Sequence, residues 1–141
     1  MVIRPARPSD AETVFALLQQ LAVSFLPDRE AFDVTFASFA TAEADGFVLV
    51  DEDADGVVRG YALTTVSRLL HTNGPAAHLQ ELVVDESTRG QRIGSSLVAA
   101  TEKECRARGV RQLSVASRRS AGFYEGLGYM STADYLKRTF E

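Results

Sequence analysis

Residues 81–97 constrain the fold more than any other part of the chain. Glu81-Leu-Val-Val-Asp85 reads as a buried strand, followed by a short polar turn. Arg89-Gly-Gln-Arg-Ile-Gly94-Ser-Ser-Leu97 reads as a tight, glycine-bearing turn that opens a helix. A helix start leaves several backbone N–H groups without intrahelical partners, at the positive end of the helix dipole. That arrangement binds phosphate without requiring a particular side chain. A strand running straight into such a turn predicts a layered α and β domain that holds a phosphorylated cofactor at the turn.

The rest of the chain supplies the other layers. Val2-Ile3-Arg4 is a short strand stopped by Pro5. Ser9 or Asp10 caps a helix in which Val14, Leu17, Leu18, Leu21 and Phe25 recur at helical spacing, and Pro27 ends it. Asp28-Arg-Glu30 starts a second helix with Phe32, Phe36 and Phe39 on one face. Residues 46–51 form a strand, 51–56 a carboxylate-rich hairpin turn, 57–70 a longer strand, 71–75 a loop, and 77–84 the central strand. Residues 92–108 form an amphipathic helix with Ile93, Leu97, Val98 and Cys105 inward, and Gly109 stops it. Residues 113–115 are a short strand, and 120–126 a fourth helix ended by Gly128. Residues 129–140 are the last strand or strands. The order βααβββαβαβ(β) over 141 residues is that of one α+β domain, residues 1–141.

Two motifs in this order resemble the GNAT superfamily of acetyl-CoA-dependent N-acetyltransferases. The turn carries the spacing R-x-x-G-x-G/A, with Arg89, Gly90 and Gly94 in register. Helix, strand and helix later, Ala121-Gly-Phe-Tyr124-Glu-Gly-Leu-Gly128-Tyr129 matches A-x-x-F/L-Y-x-x-x-G-F/Y. The resemblance covers essentially the whole chain, with residues 1–40 matching only in pattern. It departs at Arg92, which stands where the family has its first glycine. An arginine there still offers its N–H and adds a charge contact to a phosphate, but it adopts positive φ less cheaply than glycine. The resemblance implies an α+β, three-layer α/β/α GNAT acyl-CoA N-acyltransferase fold. Its central sheet is mixed, mostly antiparallel, and splayed at the middle strands.

The activity implied is transfer of an acetyl group from acetyl-CoA, a cosubstrate, to a primary amine by direct attack in a ternary complex. Arg89, Gly90, Gln91, Arg92, Ile93, Gly94 and Ser95 are expected at the pyrophosphate. Leu82, Val83 and Val84 are expected to pair with the pantetheine arm as an added strand does, where a β-bulge splays the central strand from its neighbour. Tyr124 is expected at the cofactor sulfur, protonating the leaving thiolate; a phenol with pKa ~10 holds its proton at neutral pH. The alternative is a tyrosine packed in the core, a role for which Phe123 and Tyr129 are better suited.

The base is less sharply indicated. Strict alternation puts His78, Gln80, Leu82 and Val84 on one face and Leu79, Glu81 and Val83 on the other, and a bulge switches that parity. Many relatives carry a carboxylate where Gln80 stands, and an amide accepts no proton. That departure speaks against a direct carboxylate base. Glu81, working through water, ranks slightly ahead of His78, which titrates near neutrality, and the resemblance also allows ordered water in place of one dedicated base. Each residue also reads as an ordinary surface or loop-end residue. Arg118, standing where many relatives have Asn, and Arg119 lie either at the cofactor's phosphates or in solvent.

Net charge −4 gives no reason to expect nucleic acid as partner. One cysteine, Cys105, excludes an internal disulfide and reads as core. No apolar run approaches the ~20 residues of a membrane span, and the polar N-terminus does not read as a signal peptide; the expected location is the cytoplasm. Two histidines and one cysteine argue against zinc, and the acidic turn at 51–55 lacks calcium-loop order and reads as solvated. A small-molecule amine is the expected acceptor, with a peptide or protein amine as alternative, and a homodimer is consistent with the resemblance. Two other readings compete: an acetyl-CoA-binding module without turnover, and a nucleotide-binding regulatory domain. The second lacks both the P-loop lysine and the dinucleotide glycine spacing.

Overall fold

The computed structural model describes residues 2–21, 25–41, 44–117 and 120–140. The elements in chain order are β1 (Val2–Pro5), α1 (Ala11–Leu21), α2 (Arg29–Ser38), β2 (Gly46–Glu52), β3 (Val58–Leu69), β4 (Gly74–Val84), α3 (Ile93–Ala107), β5 (Gln112–Val115) and α4 (Ala121–Gly126). The strands form one sheet in sequence order, β1-β2-β3-β4-β5. The first three pairings are antiparallel and β4–β5 is parallel. The sheet is thus mixed and mostly antiparallel, as expected.

Each face of the sheet carries its own core. Phe47, Leu49, Ala62 and Leu79 pack against Ile93, Leu97 and Val98 of α3 and Tyr124 of α4. On the other face Val48, Val50, Tyr61 and Val83 pack against Val14 and Leu17 of α1, with Phe32, Phe36 and Phe39 closing the edge. Each fully buried aliphatic side chain contributes about 1.5–3 kcal/mol relative to exposure, so this two-sided burial holds the helices on the sheet. Cys105 is buried on the inward face of α3, and burial pushes its thiol pKa up.

The ends of the helices follow from local chemistry. Asp28 caps α2 by accepting the Ala31 N–H at 2.9 Å. Asp10, just before α1, accepts the Arg7 N–H at 2.7 Å and is clasped by both terminal nitrogens of Arg4 at 2.8 and 3.0 Å. After α3, Gly109 at φ 74° lets the Gly109 and Val110 N–H groups turn back onto the Arg106 and Cys105 carbonyls. Gly128 closes α4 in the same way, with Gly128 and Tyr129 donating to Glu125 and Tyr124.

Three expectations need correction. Residues 129–140 form no strand. A strand exists only where an edge offers it a ladder, and β5 pairs only with β4 among the described residues; Met130, Leu136 and Phe140 are exposed. Asp51, assigned to the solvated acidic turn, is fully buried and paired with Arg59, whose Nε donates to it at 2.9 Å. Its place on β2, opposite Gly60, turns the carboxylate inward, and only Asp53 organises the turn, accepting the Asp55 and Val57 N–H groups. Phe25, expected in the first helix, lies outside any helix, as do residues 26–28; α1 is described as far as Leu21, and residues 22–24 lie outside the described part.

Candidate active site

The glycine-bearing turn emerges from β4 through Asp85 and a single 3-10 turn, Glu86–Thr88. Gln20 of α1 holds this exit, donating to Asp85 at 3.0 Å and accepting the Glu86 N–H at 3.1 Å. Gly90 adopts φ 89° and Arg92 adopts φ 63°, ψ 21°, the left-handed region. Arg92 is the N-cap of α3, and no side chain caps that helix. The first-turn N–H groups of Ile93, Gly94 and Ser95 therefore have no intrahelical acceptor, and Arg89, Gly90, Gln91 and Arg92 are exposed beside them. An anionic group fits there without displacing a protein partner.

The strand before the turn is split from its neighbour. β4 pairs with β5 from Ala76 to Leu79 and no further, so among the described residues Gln80 to Val84 have no ladder partner on that side. On its other side β4 carries a bulge: Leu63 pairs Glu81 and Thr64 pairs Leu79, leaving Gln80 as the extra residue. Gln80 is exposed, its amide donating to Thr65 Oγ1 at 2.9 Å. Leu82 and Val84 pack toward α3, and a Cβ on Gly94 would sit 3.6 Å from the Phe123 ring, 3.8 Å from Val84 and 4.0 Å from Leu82. The open edge at 82–84, the uncapped helix start and these small, close side chains suit an extended ligand with an anionic end.

The bulge also decides which side chains meet. Leu79 and Leu82 both face α3, while Val83 faces α1 and Glu81 turns to Tyr61 on that same side. His78 pairs Thr65, placing it with Glu81 and Val83. The unbulged alternation, with His78 opposite Glu81, is corrected accordingly: one inserted residue reverses the parity of everything after it.

Glu81 lines a cavity of about 300 Å³ between α1, α2 and the sheet, walled by Phe32, Phe36, Phe39 and Leu63. The Tyr61 hydroxyl donates to Glu81 Oε1 at 2.8 Å. Burial, then the neighbouring Glu81 charge and the hydrogen bond to it, push Tyr61's pKa well above the ordinary phenol value. Tyr61 therefore stays a donor and orients the carboxylate. His78 is not part of this cavity. Its Nδ1 lies 2.8 Å from Ser114 Oγ and its ring stacks on Tyr135, centroids 5.7 Å apart. Burial lowers its pKa, which favours the neutral ring.

Tyr124, on α4, is 8% exposed and makes edge contacts with Phe123 and Tyr129. Its hydroxyl has no hydrogen-bond partner among the described residues, and burial raises its pKa. Tyr129 differs: its hydroxyl donates to Glu102 at 2.6 Å, which fixes it as structural. Phe123, expected in the core, is 37% exposed and borders Gly94 instead. Arg118 and Arg119 lie outside the described residues.

Comparison with known proteins decides the family. The model of the acetyltransferase (GNAT) family matches residues 12–129. The chain belongs to that family. It is 30% identical over 132 residues to glucosamine 6-phosphate N-acetyltransferase 1 of Oryza sativa subsp. japonica, covering 91% of this chain and 80% of that one. It is 25% identical to the glucosamine 6-phosphate N-acetyltransferase of Arabidopsis thaliana, covering 99% and 96%. The crystal structure of glucosamine-6-phosphate N-acetyltransferase from Arabidopsis thaliana superposes with TM-score 0.85, covering 99% of this chain and 98% of that one at 25% identity. A GNAT family acetyltransferase of Staphylococcus aureus superposes at 0.78 with 15% identity.

As a GNAT acetyltransferase, the chain is an enzyme of acetyl transfer from acetyl-CoA. Sequence reasoning missed Tyr61 at the site, because nothing in Arg59-Gly-Tyr61-Ala-Leu63 distinguishes it from a strand tyrosine packed in a core. Its signal lies in register: Leu63 is the partner of Glu81, so Tyr61 sits within diagonal reach on the same face. Among the described residues no three metal-ligating side chains come together, and no helix is long and apolar enough to cross a membrane.

Proposed function

We propose that the enzyme acetylates the primary amine of a small molecule by direct attack within a ternary complex, with Glu81 accepting the amine's proton and Tyr124 protonating the leaving sulfur. The observation that carries this reading is the place of Glu81: it lines a cavity between α1, α2 and the sheet, one residue past the bulge at which β4 leaves β5. The amine's lone pair forms the new C–N bond at the thioester carbonyl while the C–S bond breaks. The amine proton passes to Glu81, directly or through water, and a proton from Tyr124 reaches the thiolate. The main chain at 82–84, with no ladder partner on the β5 side among the described residues, turns the N–H groups of Leu82 and Val84 outward for the pantetheine arm and for the carbonyl oxygen that gains charge. The N–H groups of Ile93, Gly94 and Ser95, with Arg89, Gly90, Gln91 and Arg92 around them, receive the pyrophosphate.

Glu81 is preferred to His78 because His78 is occupied by Ser114 and Tyr135 and lies outside the cavity. The relatives' names make glucosamine 6-phosphate one acceptor to try. A homodimer belongs to the reading as well, supported by the exposed apolar side chains of residues 130–140, and so does a cytoplasmic location. The deciding experiment is CoA thiol release from acetyl-CoA against pooled small amines and N-terminal peptides. Release above hydrolysis with an amine pool, lowered about 10²-fold in Glu81→Gln, is expected. Thermal stabilisation by acetyl-CoA with no release in any pool would overturn turnover in favour of a binding module.

A further inference from the structure

We infer that the acceptor cavity takes a primary amine carried on a compact apolar body, aromatic or aliphatic, and not a phosphorylated sugar. This rests on the reading of Glu81 as the group that receives the amine. The walls are apolar almost throughout, with Val14, Leu18, Phe32, Phe36, Phe39 and Leu63 facing the space. Phe32 and Phe36 stack at 5.2 Å, presenting ring surface rather than hydrogen-bond donors. Beyond Asp28, Thr35, Tyr61 and Glu81 the lining offers no polar side chain among the described residues, so most sugar hydroxyls buried against these walls would lose water without gaining partners.

Charge sorts the candidates further. The cavity's only charged lining groups among the described residues are two carboxylates, Asp28 and Glu81. A protonated amine is attracted to such a pair and a phosphate is repelled. Arg29, next to Asp28, is already committed to Glu12 at 3.1 Å and Asp33 at 2.9 Å. Arg7 and Arg108 line a separate cavity of about 330 Å³ that shares Phe36, Phe39 and Val48 as a wall but does not include Glu81. The volume of about 300 Å³ is at the low end for small-molecule sites. It admits a single ring with a short aminoalkyl arm and excludes an oligosaccharide.

The test compares 2-phenylethylamine with glucosamine 6-phosphate, by calorimetric binding to the CoA-loaded protein and by turnover with acetyl-CoA. Wild type and Asp28→Asn are both measured. Asn caps a helix as well as Asp does, so the variant removes charge from the cavity and keeps the fold, which an unchanged thermal midpoint verifies. The expected result is binding of 2-phenylethylamine with kcat/KM at least tenfold above that for glucosamine 6-phosphate. In Asp28→Asn its KM rises about tenfold, with kcat and the KM for acetyl-CoA unchanged. Preference for glucosamine 6-phosphate, or a KM for 2-phenylethylamine indifferent to Asp28, would overturn the inference while leaving acetyl transfer intact. Absence of thiol release with every amine tried would count against the proposed activity, and calorimetry alone then decides the cavity: no binding of 2-phenylethylamine overturns the inference.

Discussion

Arg92 offers the sharpest quantitative prediction, because the helix start strains it while the proposed reading gives it a phosphate contact. It holds φ 63°, ψ 21° at the N-cap of α3, where L-residues other than Asn and Asp rarely sit. The left-handed conformation costs an L-residue about 1–2 kcal/mol. Arg92→Gly relieves that cost and gives back part of the gain as chain entropy in the unfolded state. Arg92→Ala keeps the strain and removes the side chain beyond Cβ, guanidinium included. The glycine variant is therefore more stable than the alanine variant by about 1 kcal/mol. A chain of 141 residues has an unfolding entropy of roughly 0.3 kcal/mol per kelvin near its midpoint, so the Tm difference is about 3 °C.

Thermal denaturation of the ligand-free proteins, followed by circular dichroism, reads this difference. CoA affinity reads the other half of the argument. Both variants lack the guanidinium, and a charge-assisted contact to phosphate contributes about 1.5–3 kcal/mol. Both therefore bind CoA at least tenfold more weakly than wild type, with a shallower dependence on salt. The glycine variant thus gains stability while losing affinity. A Tm for Arg92→Gly at or below that of Arg92→Ala would refute the strain argument. CoA affinity equal to wild type in both would refute the charge contact.

Further expectations concern the cofactor side and the fold. Tyr124→Phe lowers kcat by the order of 10²-fold with the Kd for acetyl-CoA unchanged; and since burial raises the Tyr124 pKa, an alkaline fall in rate below pH ~10 does not belong to it. An unchanged kcat removes its role as acid. Gly94→Ala folds normally, because the added Cβ makes ordinary contacts of 3.6 Å or more with the protein, whereas Gly94→Glu sets a negative charge in the first turn of α3 and raises the Kd for CoA by the order of 10²; retained affinity in the glutamate variant would move the site elsewhere. Asp10→Asn loses charge-assisted hydrogen bonds from Arg4 at 2.8 and 3.0 Å and is destabilised by about 2 kcal/mol, roughly 6 °C in Tm. The Asp10 carboxyl is held below its ordinary pKa chiefly by the Arg4 hydrogen bonds, with the Arg7 N–H adding to them against burial. A depressed folded-state pKa gives stability that is present above the unfolded carboxylate value of ~3.9 and lost as pH falls through the folded one. The gap between wild type and Asp10→Asn therefore closes in acid, and a gap independent of pH would exclude the ion pair as its cause.

The elements of the fold were legible because their signals are local. Asp28 before an amphipathic run, Gly109 and Gly128 at helix ends, and the apolar strand running into Arg89–Gly94 each state a backbone requirement within a few residues. The tail at 129–140 misled because its apolar residues look like a strand, and whether a strand forms depends on a partner edge far away in the chain. Asp51 misled for a related reason: its sequence neighbours are turn carboxylates, while its partner, Arg59, sits across the hairpin.

The bulge at Gln80 is the clearest case of chemistry set beyond the reach of local pattern. Alternation along 77–84 assigns faces correctly on either side of Gln80, but the inserted residue turns one half over relative to the other. Without it, placing Leu79 toward α3 would carry Glu81 to that side too, into an aliphatic core with no partner for a carboxylate, and would carry Leu82 toward α1. With it, Leu79, Leu82 and Val84 share the face that meets α3, and Glu81 reaches Tyr61 and the cavity between α1, α2 and the sheet. The bulge sits at the point where β4 loses β5, between Leu79, the last paired residue, and the open edge that follows. In the proposed reading, a single extra residue separates the cofactor's side of the strand from the amine's side. An amide at Gln80 is tolerated there because that position is spent on shape, and the carboxylate stands one residue later, at Glu81.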